Sequence, residues 1–323
     1  MSRKHLRILF TSAGRRVELL RCFRRAAQSL EMDFDVLACD LNASMSSACH
    51  TADRAFDVPR CSDPSYADAI FDIAKKNGVH LIIPTIDPEL QSLAAAAEHF
   101  ASSGALVHVS PPDVVAVAQD KLKTAQVLRA AGVPVPATYS LEGTRSLPLG
   151  LQWPMFMKPK AGSASRGLQV IQSADCLPGQ TDEPMLLQEF LRGPEYTVNI
   201  FIDMAGVLQS AVMHRRLQVR AGEVEKGRTE RRDDLHKLAE LICKALPGAR
   251  GVLCFQVIDD QESGPQVIEI NARFGGGYPL ADHAGATFAQ WLMEEVSGLP
   301  CTANNDWRNN VTMLRYDAAI FKG

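Results

Sequence analysis

The first hundred or so residues alternate strand and helix patterns, and that alternation leaves the chain very few folds. Apolar runs at residues 6–10, 34–39, 79–83 and 107–109 read as strands. Residues 17–30, 66–76 and 88–102 read as helices, the second stopped by Asn77 and Gly78. Strands joined by helices of this length predict a parallel sheet covered on both faces. Ligands of such sheets bind beyond the carboxyl ends of the strands. Two of those ends are polar: Thr11, Ser12, Ala13, Gly14 and Arg15 after the first strand, and residues 85–89 after the third. Asp87 and Glu89 could grip an amine or Mg²⁺, while Thr85 or Asp87 would serve equally as a helix N-cap. Asp40 ends a strand where dinucleotide folds place a ribose-binding acid. The first loop has a single glycine, which argues against a nicotinamide cofactor.

After Ser110, Pro111 and Pro112 come two helical stretches, 113–119 and 121–131, the latter stopped by Gly132, Pro134 and Pro136. Residues 153–160 form a strand ending in lysine, residues 161–167 are small with Arg166, and residues 168–171 form a second strand. Such a strand–loop–strand can fold its backbone N–H groups over phosphate oxygens, with Lys158 as a point charge. It lacks the Gly-Lys-Ser/Thr and the following helix of a P-loop, and an ordinary hairpin with an exposed lysine fits the same residues.

The stretch from Pro265 to Gly277 carries the densest chemistry. Val267, Ile268 and Ile270 mark a strand, so Glu269 and Asn271 share one face, and Arg273 follows on that face. Oxygen donors converging from one face suit a hard cation beside phosphates; a buried strand with a polar end is the alternative. Residues 251–259 form the preceding strand. A four-residue loop at 261–264, with Asp260 opposite Pro265, would set Gln256 directly opposite Glu269. A one-residue slip would turn Gln256 to the other face. Gly275, Gly276 and Gly277 then allow close approach of a ligand to the backbone.

Four segments in this order resemble the ATP-grasp superfamily, and within it the short relatives of the carbamoyl phosphate synthetase large subunit. They are residues 120–136, Met157-Lys158-Pro159 with the Gly-Ser loop, residues 188–199, and Glu269 through Gly277. The resemblance implies an α/β chain: a Rossmann-like pre-ATP-grasp domain at 1–110, then a two-subdomain α+β ATP-grasp fold. Its subdomains would span 111–185, with the Gly-rich phosphate loop, and 186–323, with the metal site. It implies that Lys121, Lys158, Gly162, Ser163 and Gly167 hold ATP phosphates. Glu189 and Leu191 would form the adenine hinge, and Glu195 would bind ribose hydroxyls. Gln256, Glu269 and Asn271 would ligate Mg²⁺, in all two ions, with Mn²⁺ able to substitute. Arg273 would face the transferred phosphoryl group. The position opposite Glu269 is often acidic in the superfamily, though the carbamoyl phosphate synthetase branch also accepts glutamine; here Gln256 would let one metal bind more weakly or only along with ATP. The activity implied is ATP-dependent joining of a carboxylate to an amine through an acyl phosphate, with an amino acid as one partner. An ATP-grasp kinase, a carbamoyl-phosphate-type enzyme and a non-catalytic nucleotide-binding module are the alternatives.

Arg216 and Arg220, in a basic stretch after a predicted hairpin at 196–217, could bind a substrate carboxylate or lie on a solvated edge. Gly276 is a further candidate for substrate contact. Arg15, Arg16, Arg21, Arg24 and Arg25 read as a solvated helix face. A formal charge of −3 with 46% apolar residues excludes a chain dominated by a nucleic-acid surface. Eight cysteines without a Cys-x-x-Cys pair, and no apolar leader or run of roughly 18 apolar residues, point to a cytoplasmic protein with free thiols. The expected partners are small molecules, neither nucleic acid nor membrane, with a homodimer compatible.

Overall fold

The computed structural model describes residues 5–142, 147–148, 150–162 and 167–322. Its N-terminal part runs β1 (His5–Thr11), α1 (Val17–Ser29), β2 (Asp33–Asp40), α2 (Ser47–Thr51), β3 (Arg54–Asp57), α3 (Tyr66–Asn77), β4 (Leu81–Pro84), α4 (Leu90–Ala95), α5 (Ala97–Ser102) and β5 (Leu106–Val107). The strands form one parallel sheet in the order β3-β2-β1-β4-β5. Hydrophobic spacing explains α1: Leu19, Leu20, Phe23, Ala26 and Ala27 are all buried along one stripe. Gly78 ends α3 in the left-handed conformation, and Val79 N–H reaches back to Ala74 O at 2.9 Å. The helix expected at 88–102 is interrupted: a 3₁₀ turn occupies Asp87–Glu89, and α4 and α5 are separated at Ala96.

The chain continues through α6 (Pro112–Gln119) and α7 (Lys121–Ala130) into β6 (Thr138–Ser140), β7 (Met155–Pro159), β8 (Gln169–Ile171) and β9 (Met185–Glu189). These strands make an antiparallel sheet, β6-β9-β7-β8, with a small core of its own around Met155, Met157, Ile171 and Leu187. Helices α6 and α7 pack against β14 of the following sheet, and α7 also packs beside β6. That sheet is built from β10 (Glu195–Ile202), β11 (Leu208–Arg220), β12 (Glu223–Thr229), β13 (Gly251–Asp260) and β14 (Gly264–Asn271). It is joined by α8 (Asp233–Ala245), α9 (Tyr278–Ala284), α10 (Phe288–Ser297) and β15 (Thr312–Leu314). Its order is β14-β13-β10-β11-β12-β15. It shares one continuous hydrophobic core with the parallel sheet, where Phe23 meets Phe274 with ring centroids 5.8 Å apart. The four-stranded sheet therefore stands as a lobe against a larger body. No helix among the described residues is long and apolar enough to cross a membrane.

The hairpin that bears Glu269 reaches the expected pairing by a different route. Asp260 pairs with Gly264, not Pro265, so the loop has one residue fewer than expected. Asp260 closes it by accepting from Glu262 N, Ser263 N and Ser263 Oγ. A β-bulge at Ile268 then adds one residue to β14, and Gln256 lies opposite Glu269 after all.

Candidate active site

Two cavities meet on the six-stranded sheet. The first, of 420 Å³, lies against the four-stranded lobe and is bordered by Phe156, Lys158, Leu168, Ile258 and Ile268. The second, of 270 Å³, lies against the N-terminal part and is bordered by Arg15, Arg16, Ile86, Cys254 and the glycines Gly275, Gly276 and Gly277. Arg216, Gly222, Gln256 and Glu269 border both.

The first cavity gathers two lysines. Asp120 caps α7 by accepting from Leu122 N and Lys123 N, which fixes Lys121 as the first helical residue. Lys121 is buried and its Nζ donates to Gly162 O at 2.6 Å. Lys158, only 5% exposed, donates from Nζ to Ile268 O, the carbonyl of the bulged residue, at 3.4 Å. Burial lowers the Lys158 pKa to about 8; Glu269 opposes that shift and Lys121 adds to it. Neither ammonium is bonded to a carboxylate among the described residues, so both can turn to an anionic ligand.

The border between the cavities holds the oxygen donors. Asn271 Nδ2 donates to Glu269 Oε1 at 3.0 Å, as residues two apart on a strand should. The Gln256 amide orients its nitrogen to Glu195 Oε1 at 3.2 Å and its oxygen to Arg216 at 3.1 Å. Arg216 also pairs with Glu195 at 3.2 Å and donates to Gly222 O. Burial raises the Glu195 pKa, against the pull of Arg216. Arg216 thus belongs to the border, while its buried Nε has no hydrogen-bond partner among the described residues. Glu269 and Asn271 offer the hard oxygens that Mg²⁺ takes, with Gln256 opposite Glu269. With one carboxylate among the three, the shell needs phosphate oxygens to complete it. No group of three or more His, Cys, Asp or Glu among the described residues could hold a metal alone.

Arg273 is buried and held on several sides. Its Nε donates to Asp87 Oδ2 at 3.0 Å, NH2 donates to Asp87 and to Asn271 Oδ1, and NH1 donates to Phe274 O. Burial works against its charge, but Asp87 outweighs that and raises its pKa. Asp87 is therefore not a free ligand for an amine or Mg²⁺: it is the partner that aims Arg273.

Other expected residues lie elsewhere. Glu89 is fully buried and accepts from Thr85 N, Ile86 N, Ser12 Oγ and Tyr66, so it grips no substrate. Arg220 borders neither cavity and pairs on the surface with Asp317 and Glu225, apart from Arg216. Glu189 and Leu191 are also outside both linings; Glu189 Oε2 accepts from Ala137 N. Gly162 borders the first cavity, Gly167 does not, and Ser163 lies outside the described residues. Gly276 borders the second cavity, and its carbonyl accepts from Arg315.

Arg15 and Arg16 were expected on a solvated helix face and instead border the second cavity. Arg16 pairs with Glu223 at 3.0 Å, and Glu223 also pairs with Arg315 at 2.9 Å. The sequence signal was their place beyond the carboxyl end of β1, where parallel sheets bind ligands. Glu223 and Arg315 had no such signal, since the strand pairings that bring them there are not local.

Comparison with known proteins agrees with this architecture. A family model described as "PylC-like, N-terminal domain" matches residues 8–108, and an ATP-grasp domain model matches residues 118–277. D-alanine--D-alanine ligase of Alcanivorax borkumensis is 32% identical over 97 residues, which are 28% of this chain and 30% of that protein. The counterpart in Chromohalobacter salexigens is 30% identical over 99 residues, 27% of this chain and 31% of that one. The chain thus spans about a third of the length of the curated relatives it matches. Biotin carboxylase from Campylobacter jejuni, solved as a β,γ-ATP complex, superimposes with a TM-score of 0.76 at 19% identity, over 95% of this chain and 74% of that one. N5-carboxyaminoimidazole synthetase from Staphylococcus aureus gives a TM-score of 0.71 at 14% identity, over 94% and 80%. By the ATP-grasp model over residues 118–277, behind a PylC-like N-terminal domain, this chain belongs to the ATP-grasp superfamily.

Proposed function

We propose that the protein is an ATP-dependent ligase that joins a carboxylic acid to an amine through an acyl phosphate. The observation that carries this reading is the shared border: a lysine-lined cavity and an arginine-lined cavity meet at Glu269, Gln256 and Arg216. ATP would occupy the first cavity, with its triphosphate toward Lys121, Lys158 and the Gly162 loop and its ribose near Glu195. The acid would enter the second cavity, so that its carboxylate faces the γ-phosphorus across the border. Glu189 and Leu191 remain the proposed hinge, which requires the lobe to close toward the larger body.

Phosphoryl transfer asks the protein for positioning and charge more than for covalent help. The acid's oxygen attacks phosphorus in line, ADP leaves, and the amine then displaces phosphate to form the amide. Lys121 and Lys158 counter charge on the phosphates. Arg273, already aimed by Asp87 and Asn271, loses little freedom when negative charge develops on the transferred group. Glu269 and Asn271, with Gln256 turning in, would hold Mg²⁺, which would supply positive charge against the phosphates; we propose two ions. The ammonium form of Lys158 predominates at neutral pH, as the site needs.

The test is ADP release by purified protein with Mg²⁺-ATP and amino acids supplied singly and in pairs. A ligase turns over only when an acid and an amine are both present. Turnover that yields a phosphorylated acceptor and no amide indicates a kinase, and ATP binding without turnover under any pairing rejects the proposal in favour of a binding module.

A further inference from the structure

Five arginines and four carboxylates line or flank the second cavity: Arg15, Arg16, Arg216 and Arg273 border it with Glu223 and Glu269, and Arg315, Asp87 and Glu195 stand behind them. Among the described residues Asp87 takes Arg273, Glu195 takes Arg216, and Glu223 serves both Arg16 and Arg315, while Glu269 borders the cavity without an ion pair. Arg15 lines the cavity and has no ion pair or hydrogen bond among the described residues. Arg216 adds a buried Nε without a hydrogen-bond partner among the described residues. Arg15 is exposed at the rim of the cavity, so its hydrated guanidinium is free to turn to an anion that enters.

The loop that presents Arg15 and Arg16 is fixed in place. Ser12, which is not glycine, has a φ of 47°. Its carbonyl accepts from Thr85 Oγ1 at 2.7 Å, and its hydroxyl donates to the buried Glu89 at 2.9 Å. Ala13 N donates to Cys39 O, Gly14 N to Asp40 Oδ2, and Ser46 Oγ to Gly14 O. Uncommon backbone held by so many bonds is characteristic of ligand clamps. Glu89 thus acts through the loop. The helix that follows begins without a side-chain cap on its N–H groups.

We propose that Arg15 and Arg16 clamp a second anionic group of the acid substrate, a carboxylate or a phosphate remote from the carboxylate that reacts. This rests on the ligase reading for the word substrate, but the anion clamp itself does not depend on turnover. The reacting end is set by Glu269, on the border with the nucleotide cavity, and by Asn271 and Arg273 beside it. The arginines of the first loop lie on the N-terminal wall, where a second charge on the same small molecule can reach them. At 270 Å³ the space is below the ~300 Å³ at which pockets for drug-sized ligands begin, and suits a small acid.

The test is titration calorimetry near neutral pH with the protein loaded with Mg²⁺ and a non-hydrolysable ATP analogue. The probes are succinate, inorganic phosphate and butyrate. Succinate is expected to bind at least about tenfold more tightly than butyrate, which has the same length and one charge fewer, since charge-assisted pairs are the strong ones. Arg15→Gln should weaken succinate about tenfold, Arg15→Lys should restore part of it, and the analogue's Kd should not change in either. Binding of phosphate without succinate would support the clamp and identify a phosphate-bearing acid. Equal binding of butyrate and succinate, unchanged succinate binding by Arg15→Gln, or no binding of any probe overturns the proposal. If the analogue fails to bind, the nucleotide reading fails, and the same titrations on free protein still decide about the clamp. Tight succinate binding without turnover under any pairing would remove the ligase reading and leave the clamp standing.

Discussion

Replacing Lys158 by methionine should stabilise the protein and cost it ATP. Lys158 is 5% exposed, and burial lowers its pKa from 10.5 to about 8. At neutral pH the folded protein must carry this ammonium in a poorly hydrated place. A shift of that size corresponds to about 3 kcal/mol, an order-of-magnitude figure from ~1.4 kcal/mol per pKa unit. The sign follows from proton binding. Between pH 8 and 10.5 the unfolded chain holds more protons at this site than the folded one, so stability rises with pH across that window. Below pH 8 the penalty is present in full. Lys158→Met should therefore raise Tm at neutral pH by several degrees, taking ~2–4 °C per kcal/mol for a chain of this size. The gain should shrink as pH climbs through that window. A phosphate beside Lys158 reverses the preference: ATP binding by the wild type should take up about half a proton near pH 8. Its affinity should fall above that pH by up to ~10-fold per unit. Calorimetry in buffers of different ionisation enthalpy measures the uptake, and thermal melts at several pH values measure the stability. A lower Tm for Lys158→Met at neutral pH, or ATP binding that takes up no proton near pH 8, would refute the reasoning.

Glu269→Ala and Asn271→Ala should each abolish turnover while the protein melts cooperatively; near-normal kcat in both would remove them from the metal site. Arg273→Lys keeps charge but loses the planar fork, and should lower kcat by roughly 10- to 1000-fold with little change in ATP Kd, the range of one lost transition-state donor. Asp87→Asn should resemble it more weakly, because it frees Arg273 to leave its aim; an effect on ATP Kd alone would contradict that role. Gly277→Ala should lower Tm, since the added carbon would stand 2.6 Å from Nε2 of the fully buried His214; overpacking of this kind costs ~1–3 kcal/mol, and an unchanged melt would show that the wall yields.

Local patterns carried much of the site. Lys121 follows its cap, Lys158 ends its strand, and Glu269 and Asn271 share a face because strand side chains alternate. These depend on neighbours within a few residues. The hairpin register shows the limit of such reading. Gln256 faces Glu269 only because a shorter loop and a bulge at Ile268 compensate, and nothing in an apolar run marks which residue will bulge. Strand β12 gave no sign of itself: its buried positions include Gly227 and Thr229, and its other residues are mostly charged.

The alternation of strands and helices, the caps and the glycine stops determined the parallel sheet, because these follow from covalent spacing and local hydrogen bonding; the lobed plan came from the resemblance of four segments to a known family. Partnership across the chain was decided only by the tertiary structure. Arg273 is 186 residues from Asp87 and is bonded to it, Arg16 meets Glu223, and Glu89 is withdrawn into the core. A charged side chain in the sequence can be exposed, paired or poised for a ligand. Which of these it becomes depends on what the folded sheets set opposite it, and on whether water can still reach it.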